Sequence, residues 1–201
     1  MDEETIDKVE RPFISARHRD YGVTIYHDLD TCGFPADYPF HSYANMALRA
    51  LRCCDSSYFL RSIHMYGDLD AYPSLKSGSL SPGDTRAEIF VKHFPKRKTV
   101  CKLDVCQDAV PRGGSKQPLA TSALKKEIFS QNEAEKPPYT VLLATSDADF
   151  VKTIIRLKED DVVVLLACES DADESLKNAV LVKWWWAHFI QGGEYQFKPA
   201  N

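Results

Sequence analysis

Two short runs, TVLLAT at residues 140–145 and DVVVLLAC at 161–168, are almost entirely apolar. One segment of helical length, residues 147–159, separates them. A strand that shows water on one face alternates polar and apolar residues, whereas a strand without a polar face must be covered on both sides. The pair therefore reads as a β-α-β unit in a parallel sheet, with helices above and below. That single unit commits the chain to the α/β class.

The rest of the sequence fits the same alternation. Strands are expected over 21–30 (YGVTIYHDLD), 58–70 (YFLRSIHMYGDLD) and 96–106 (KRKTVCKLDVC). Helices are expected over 39–54 and 119–132, with a short one near 83–91 and another from about 171. The ending VKWWWAHFIQGGEYQF either continues that last helix or makes a final strand. At 201 residues the chain suits one domain. Residues 1–20 read as a flexible polar head, 21–193 as the domain and 194–201 as a tail.

A net charge of −4 argues against sequence-blind binding of nucleic acid over the whole surface, but it is compatible with a local basic groove. The opening MDEETIDKVERPF lacks the apolar centre of a secretory signal, and no apolar run approaches the length of a membrane span. Six cysteines occur without a C-x-x-C pair, and Cys53 and Cys54 are adjacent. They read as reduced thiols of an intracellular protein, cytoplasmic or nuclear. Cys101, Cys106 and His93 are the remaining candidates for zinc, at no recognised spacing.

Chemistry in a parallel sheet collects at the carboxyl ends of the strands, near the point where strand order reverses. Three strands here end in aspartates: IYHDLD with Asp28 and Asp30, MYGDLD with Asp68 and Asp70, and ATSDAD with Asp147 and Asp149. Carboxylates crowded together repel, and they stay ionised when a cation sits among them. Oxygen ligands suit hard ions such as Mg²⁺ and Mn²⁺. Each Ser-Asp-Ala-Asp copy, 146–149 and 170–173, also fits a helix cap. The first copy has the separate Asp28–Asp30 pair to join; the second has no such partner and is expected to be a cap.

VTIYHDLDTCGFP resembles the opening motif of NYN domains, a branch of the PIN-like nucleases, of the limkain-b and meiosis-arrest type. That motif is an apolar strand followed by D-x-E-N-C-x-x-P. TVLLATSDADFVKTIIRLKEDDVVVLLA is similar to its partner motif, a strand, then S-G-D-x-D-F, a helix and the next strand. KNAVLVKWWWAHFIQGG is similar to the aromatic ending of plant members. The resemblance spans residues 21–193. It implies a PIN-like sheet of order 3-2-1-4-5, with helices on both faces and Asp28 beside Asp147 and Asp149. It further implies an endoribonuclease that uses Mg²⁺ or Mn²⁺ on single-stranded RNA, with Asp28, Asp147 and Asp149 holding the ion and Asp30 assisting.

Three departures bear on that implication. Asp30 stands where the family has Glu, Thr31 where it has Asn and Ser146 where it has Gly. In addition, the family's K-D-x-x-D before the fourth strand is SKQPLATSA here. Lys116 is kept, but Gln117 and Ala120 or Thr121 replace the acids, with Asp104, Asp108 or Asp68 as possible substitutes. A domain that binds RNA or protein without cleaving it is therefore the alternative. A second enzyme reading is a haloacid-dehalogenase-like phosphatase with Asp28 as nucleophile; there HDLDTC meets D-x-D-x-T except that Thr31 falls one place early. Candidate phosphate contacts are KHFPKRK (92–98), Arg112, Lys116 and Lys152, and candidate base-stacking rings are Tyr66 and Phe94. Trp184, Trp185 and Trp186 are expected in the core or at a protein partner's surface.

Overall fold

A computed structural model describes residues 22–76, 82–95, 119–134 and 139–197. Among these residues seven strands form one sheet in the order β3-β2-β1-β4-β5-β6-β7. The strands are β1 (Val23–Asp28), β2 (Leu60–Gly67), β3 (Glu88–His93), β4 (Thr140–Ala144), β5 (Val163–Cys168), β6 (Val182–Trp185) and β7 (Gln196–Phe197). All neighbours are parallel except β7, which runs antiparallel to β6. The expected 3-2-1-4-5 order is present, extended by two strands at the β5 edge. Order reverses between β1 and β4, which places the crevice of a doubly wound sheet at their carboxyl ends.

Helices cover both faces. On one lie α1 (Tyr43–Cys54), α2 (Pro73–Lys76) and α6 (Trp186–Phe189); on the other lie α3 (Leu119–Ala134), α4 (Val151–Glu159) and α5 (Glu174–Asn178). The first face is sealed by Ile25, Ile63, Met65, Leu142 and Leu165 against Tyr43, Ala47 and Leu51 of α1. The second is sealed by Tyr26, Val141, Leu143 and Leu166 against Leu124 and Ile128 of α3 and Ile154 and Leu157 of α4. Each buried aliphatic side chain contributes about 1.5–3 kcal/mol. β4 is buried along its whole length, as the absence of a polar face requires.

The structure differs from the sequence reading in three places. Residues 83–91 do not form a helix: a single 3-10 turn at Gly83–Thr85 leads into β3. Here Ile89 and Val91 pack against the first core while Glu88 and Lys92 are exposed. The third strand of the sheet is thus 88–93, and the expected strand at 96–106 lies outside the described residues. The helix near 171 is short, and the aromatic ending supplies β6, one helical turn and, past Gly193, β7. The head at 1–20, Cys101, Asp104, Cys106, Asp108, Arg112, Lys116 and Gln117 also lie outside the described residues. No described helix is long and apolar enough to cross a membrane. Among the described residues Cys32, Cys53, Cys54 and Cys168 are free thiols.

Candidate functional site at the strand carboxyl ends

Asp28 is the last residue of β1 and has 0% of its surface exposed. Its carboxylate takes three donors: the Asp30 N–H on Oδ1 at 3.1 Å, and the hydroxyls of Thr31 (2.9 Å) and Thr145 (3.2 Å) on Oδ2. Burial raises its pKa above the usual carboxylate range, and the hydroxyl and backbone donors only partly offset this. Thr31 and Thr145 also accept backbone N–H groups from the turn after β4, Ser146 N–H to Thr31 at 3.0 Å and Asp147 N–H to Thr145 at 3.2 Å. The two threonines therefore rivet the end of β1 to the turn that carries Asp147.

His27 points to the other face of the sheet, as strand alternation requires. It is enclosed by Phe34, Tyr43 and Trp186, and its Nε2 lies 2.7 Å from the Cys32 carbonyl. Burial lowers its pKa to about 4. Trp186 Nε1 donates to Gly33 O at 2.6 Å, so two buried side chains fix the loop that presents Thr31. Cys32 is buried with its thiol 3.5 Å from Ser146 Oγ, and burial lifts its pKa well above the ordinary thiol value. It is an inert packing group.

Both Ser-Asp-Ala-Asp copies cap helices, through different residues. In the first, Asp147 accepts from Asp149 N–H at 2.9 Å and opens the 3-10 turn before α4. In the second, Asp173 accepts from Ser175 N–H at 2.7 Å and opens α5. Ser146 is not a cap: its hydroxyl accepts Glu169 N–H and joins the ends of β4 and β5. Asp147 is half-buried and Asp149 exposed, with Lys125 Nζ on the Asp149 carbonyl at 2.9 Å.

Asp30 extends the line outward by accepting Asp68 N–H at 3.3 Å. Acidic groups thus run across the ends of β4, β1 and β2. The threonines tie the Asp28 carboxylate to the backbone of the turn that carries Asp147 and Asp149, whereas the described trio whose ligand atoms all lie within 4.8 Å is Asp68, Asp70 and His93. Within that trio His93 Nδ1 accepts Leu69 N–H at 3.0 Å and Asp68 Oδ1 accepts Asp70 N–H at 2.9 Å.

The position facing Asp147 from α3 is Thr121, its hydroxyl 3.5 Å from Asp147 Oδ2. Lys152 is exposed in the first turn of α4. Lys125 belongs to no motif; its place in the Lys125–Lys126 pair near the middle of α3 is the signal the sequence carries. Tyr66 is buried and stacked on Phe94 with centroids 5.7 Å apart, so its face is not open. Trp184 and Trp186 are core, at 0% and 2% exposure, and Trp185 is half-buried against the second core, which leaves Leu181 and Phe197 as the exposed large apolar groups at that end among the described residues.

No protein-family model matches the sequence, and no curated protein matches it. Among solved structures it is similar to a protein of unknown function from Vibrio parahaemolyticus, at 9% identity and a TM-score of 0.43, covering 85% of this chain and 93% of that one. That likeness bears on neither family nor function, and the resemblance to NYN domains stands on its motifs alone.

Proposed function

We propose that this chain is a metal-dependent endoribonuclease acting on single-stranded RNA. The observation that supports the reading is the gathering of Asp28, Asp30, Asp147 and Asp149 around the β1/β4 reversal of strand order. The donor set is all oxygen and suits Mg²⁺ or Mn²⁺, which are often held by one or two carboxylates, waters and substrate phosphate. Asp28 is already enclosed by three donors, so the half-buried Asp30 and Asp147 would meet the ion, with Asp149 at the rim and Asp28 behind. When bound, such an ion makes a coordinated water nucleophilic at neutral pH and stabilises charge on the phosphodiester. The chain's own part is placement. Thr31 and Thr145 hold the two acidic strand ends together, and Asp28 supplies negative charge from a site closed to water. Lys125 and Lys152 stand at the rim, where they would position the RNA backbone.

The test is cleavage of labelled single-stranded RNA with Mn²⁺, comparing wild type with Asp30→Asn and Asp147→Asn. Cleavage that a chelator stops and both variants lack supports the reading. Cleavage indifferent to chelator, or none by wild type, sinks it. A second reading, an RNA-binding domain without cleavage, is favoured by Thr121, a neutral group at the place where an acid would face Asp147. It expects tight RNA binding in chelator and no product with any divalent ion.

A further inference from the structure

On the α3 side of the sheet, Ser62 and His64 of β2 stand beside Glu88 and Phe90 of β3. Helix α3 lies over β1 and β2, and a pocket of about 230 Å³ opens between it and β3. Its floor is polar and fixed. Ser62 and His64 are buried and 3.2 Å apart, and Gln131 accepts the Tyr26 hydroxyl at 2.7 Å while its amide donates to Glu127 at 3.3 Å. Lys92 Nζ sits 3.2 Å from the other Glu127 oxygen. Phe90 is stacked on His64, centroids 4.7 Å apart at 24°, yet 42% of it is exposed.

We propose that this pocket is a subsite for one nucleobase of a single-stranded RNA. The inference rests on RNA being the substrate. A half-exposed ring beside fixed hydrogen-bonding groups matches a planar, polar partner rather than an aliphatic one. The Glu127 carboxylate accepts ring or exocyclic N–H groups, and Lys92 donates to a ring carbonyl. The cations Arg61 and Lys92 are balanced by Glu88 and Glu127, so the pocket offers a phosphate no net charge. The site is also on the reaction side of the sheet. Asp28 is level with Tyr66, and His64 is two residues below it on the same face. With a rise of about 3.3 Å per residue and strands about 4.8 Å apart, Phe90 lies about 12 Å from Asp28, within reach of the same RNA strand.

The experiment is binding of a labelled single-stranded RNA in chelator, by fluorescence anisotropy, for wild type, Phe90→Ala and Phe90→Trp, each checked for an unchanged thermal midpoint. Alanine should weaken binding about tenfold, as loss of one stacked base does. Tryptophan should restore it and show emission quenched by RNA. Nucleosides should displace the RNA and ribose 5-phosphate should not. The subsite is overturned if Phe90→Ala binds like wild type, if ribose 5-phosphate competes and nucleosides do not, or if wild type binds no RNA. Binding here needs no metal, so a failure of cleavage with these binding results intact overturns the nuclease reading and leaves the subsite standing.

Discussion

Replacing His27 with glutamine should flatten the acid limb of the protein's stability profile. The imidazole is fully enclosed, with Nε2 2.7 Å from a carbonyl that only accepts, so Nε2 carries the proton and Nδ1 faces the Tyr43 hydroxyl at 3.4 Å. That is the neutral ring, and a second proton would put a charge among Phe34, Tyr43 and Trp186. Its pKa falls from 6.5 to about 4 on folding. Between those values the unfolded chain holds a proton that the folded one does not. The stabilisation is therefore complete above pH 6.5, is lost as pH falls toward 4 and is constant below that. At about 1.4 kcal/mol per pH unit the loss is about 3 kcal/mol. Glutamine can still donate to the Cys32 carbonyl but does not titrate. Urea unfolding at steps between pH 7 and pH 4 should show wild type losing about 3 kcal/mol more than His27→Gln over that window. His64 is also held below its ordinary value by burial and acts with the same sign in both proteins, so it cancels in the comparison. Parallel curves, or a His27 ring resonance titrating near 6.5, would refute the reasoning.

Three further outcomes follow from the same structure. Asp28→Asn should melt higher than wild type at pH 7, because burial disfavours the charged carboxyl in the folded state; the gap should close as pH falls through its raised pKa. Thr121→Asp places a carboxyl opposite Asp147 on a residue that is 1% exposed. It should lower the thermal midpoint in chelator, regain it with Mn²⁺ and increase any Mn²⁺-dependent cleavage. Leu143→Ala, which empties a fully buried position on β4, should cost about 2–5 kcal/mol in urea unfolding with no change in RNA binding.

What the sequence made legible tracks how completely each element is buried. β4 and β5 were readable to within two residues because strands covered on both faces leave no polar positions to confuse them, and α4 was readable except for its start, where a 3-10 turn at Ala148–Phe150 comes first. β3 was not readable. It is an edge strand with Glu88, Phe90, Lys92 and His93 exposed, and after Pro-Gly-Asp its mixed pattern resembles a helix start. The acidic strand ends could be picked out because aspartate after an apolar run is conspicuous. Their inequality could not. Whether Asp28 is enclosed or open depends on two hydroxyls 114 residues apart in the chain, Thr31 and Thr145, meeting 3.2 Å from each other. A propensity argument likewise cannot choose which aspartate of Ser-Asp-Ala-Asp caps a helix, and the two copies answer differently. Phe90 escaped notice because exposure of a single ring on an edge strand leaves no periodic trace.

The last two-residue strand has a consequence for association between chains. Val182 and Lys183 of β6 are paired with Phe197 and Gln196 of β7. An uncovered sheet edge presents backbone donors and acceptors ready to add a strand from another molecule. Here the protein's own β7 meets the outer side of β6, and because it runs the opposite way it does so after only a short return from α6. Removing the chain beyond Gly193 would leave β6 as a bare edge next to the exposed Leu181 side chain. Such a truncated protein should self-associate through β6 at concentrations where the full chain does not.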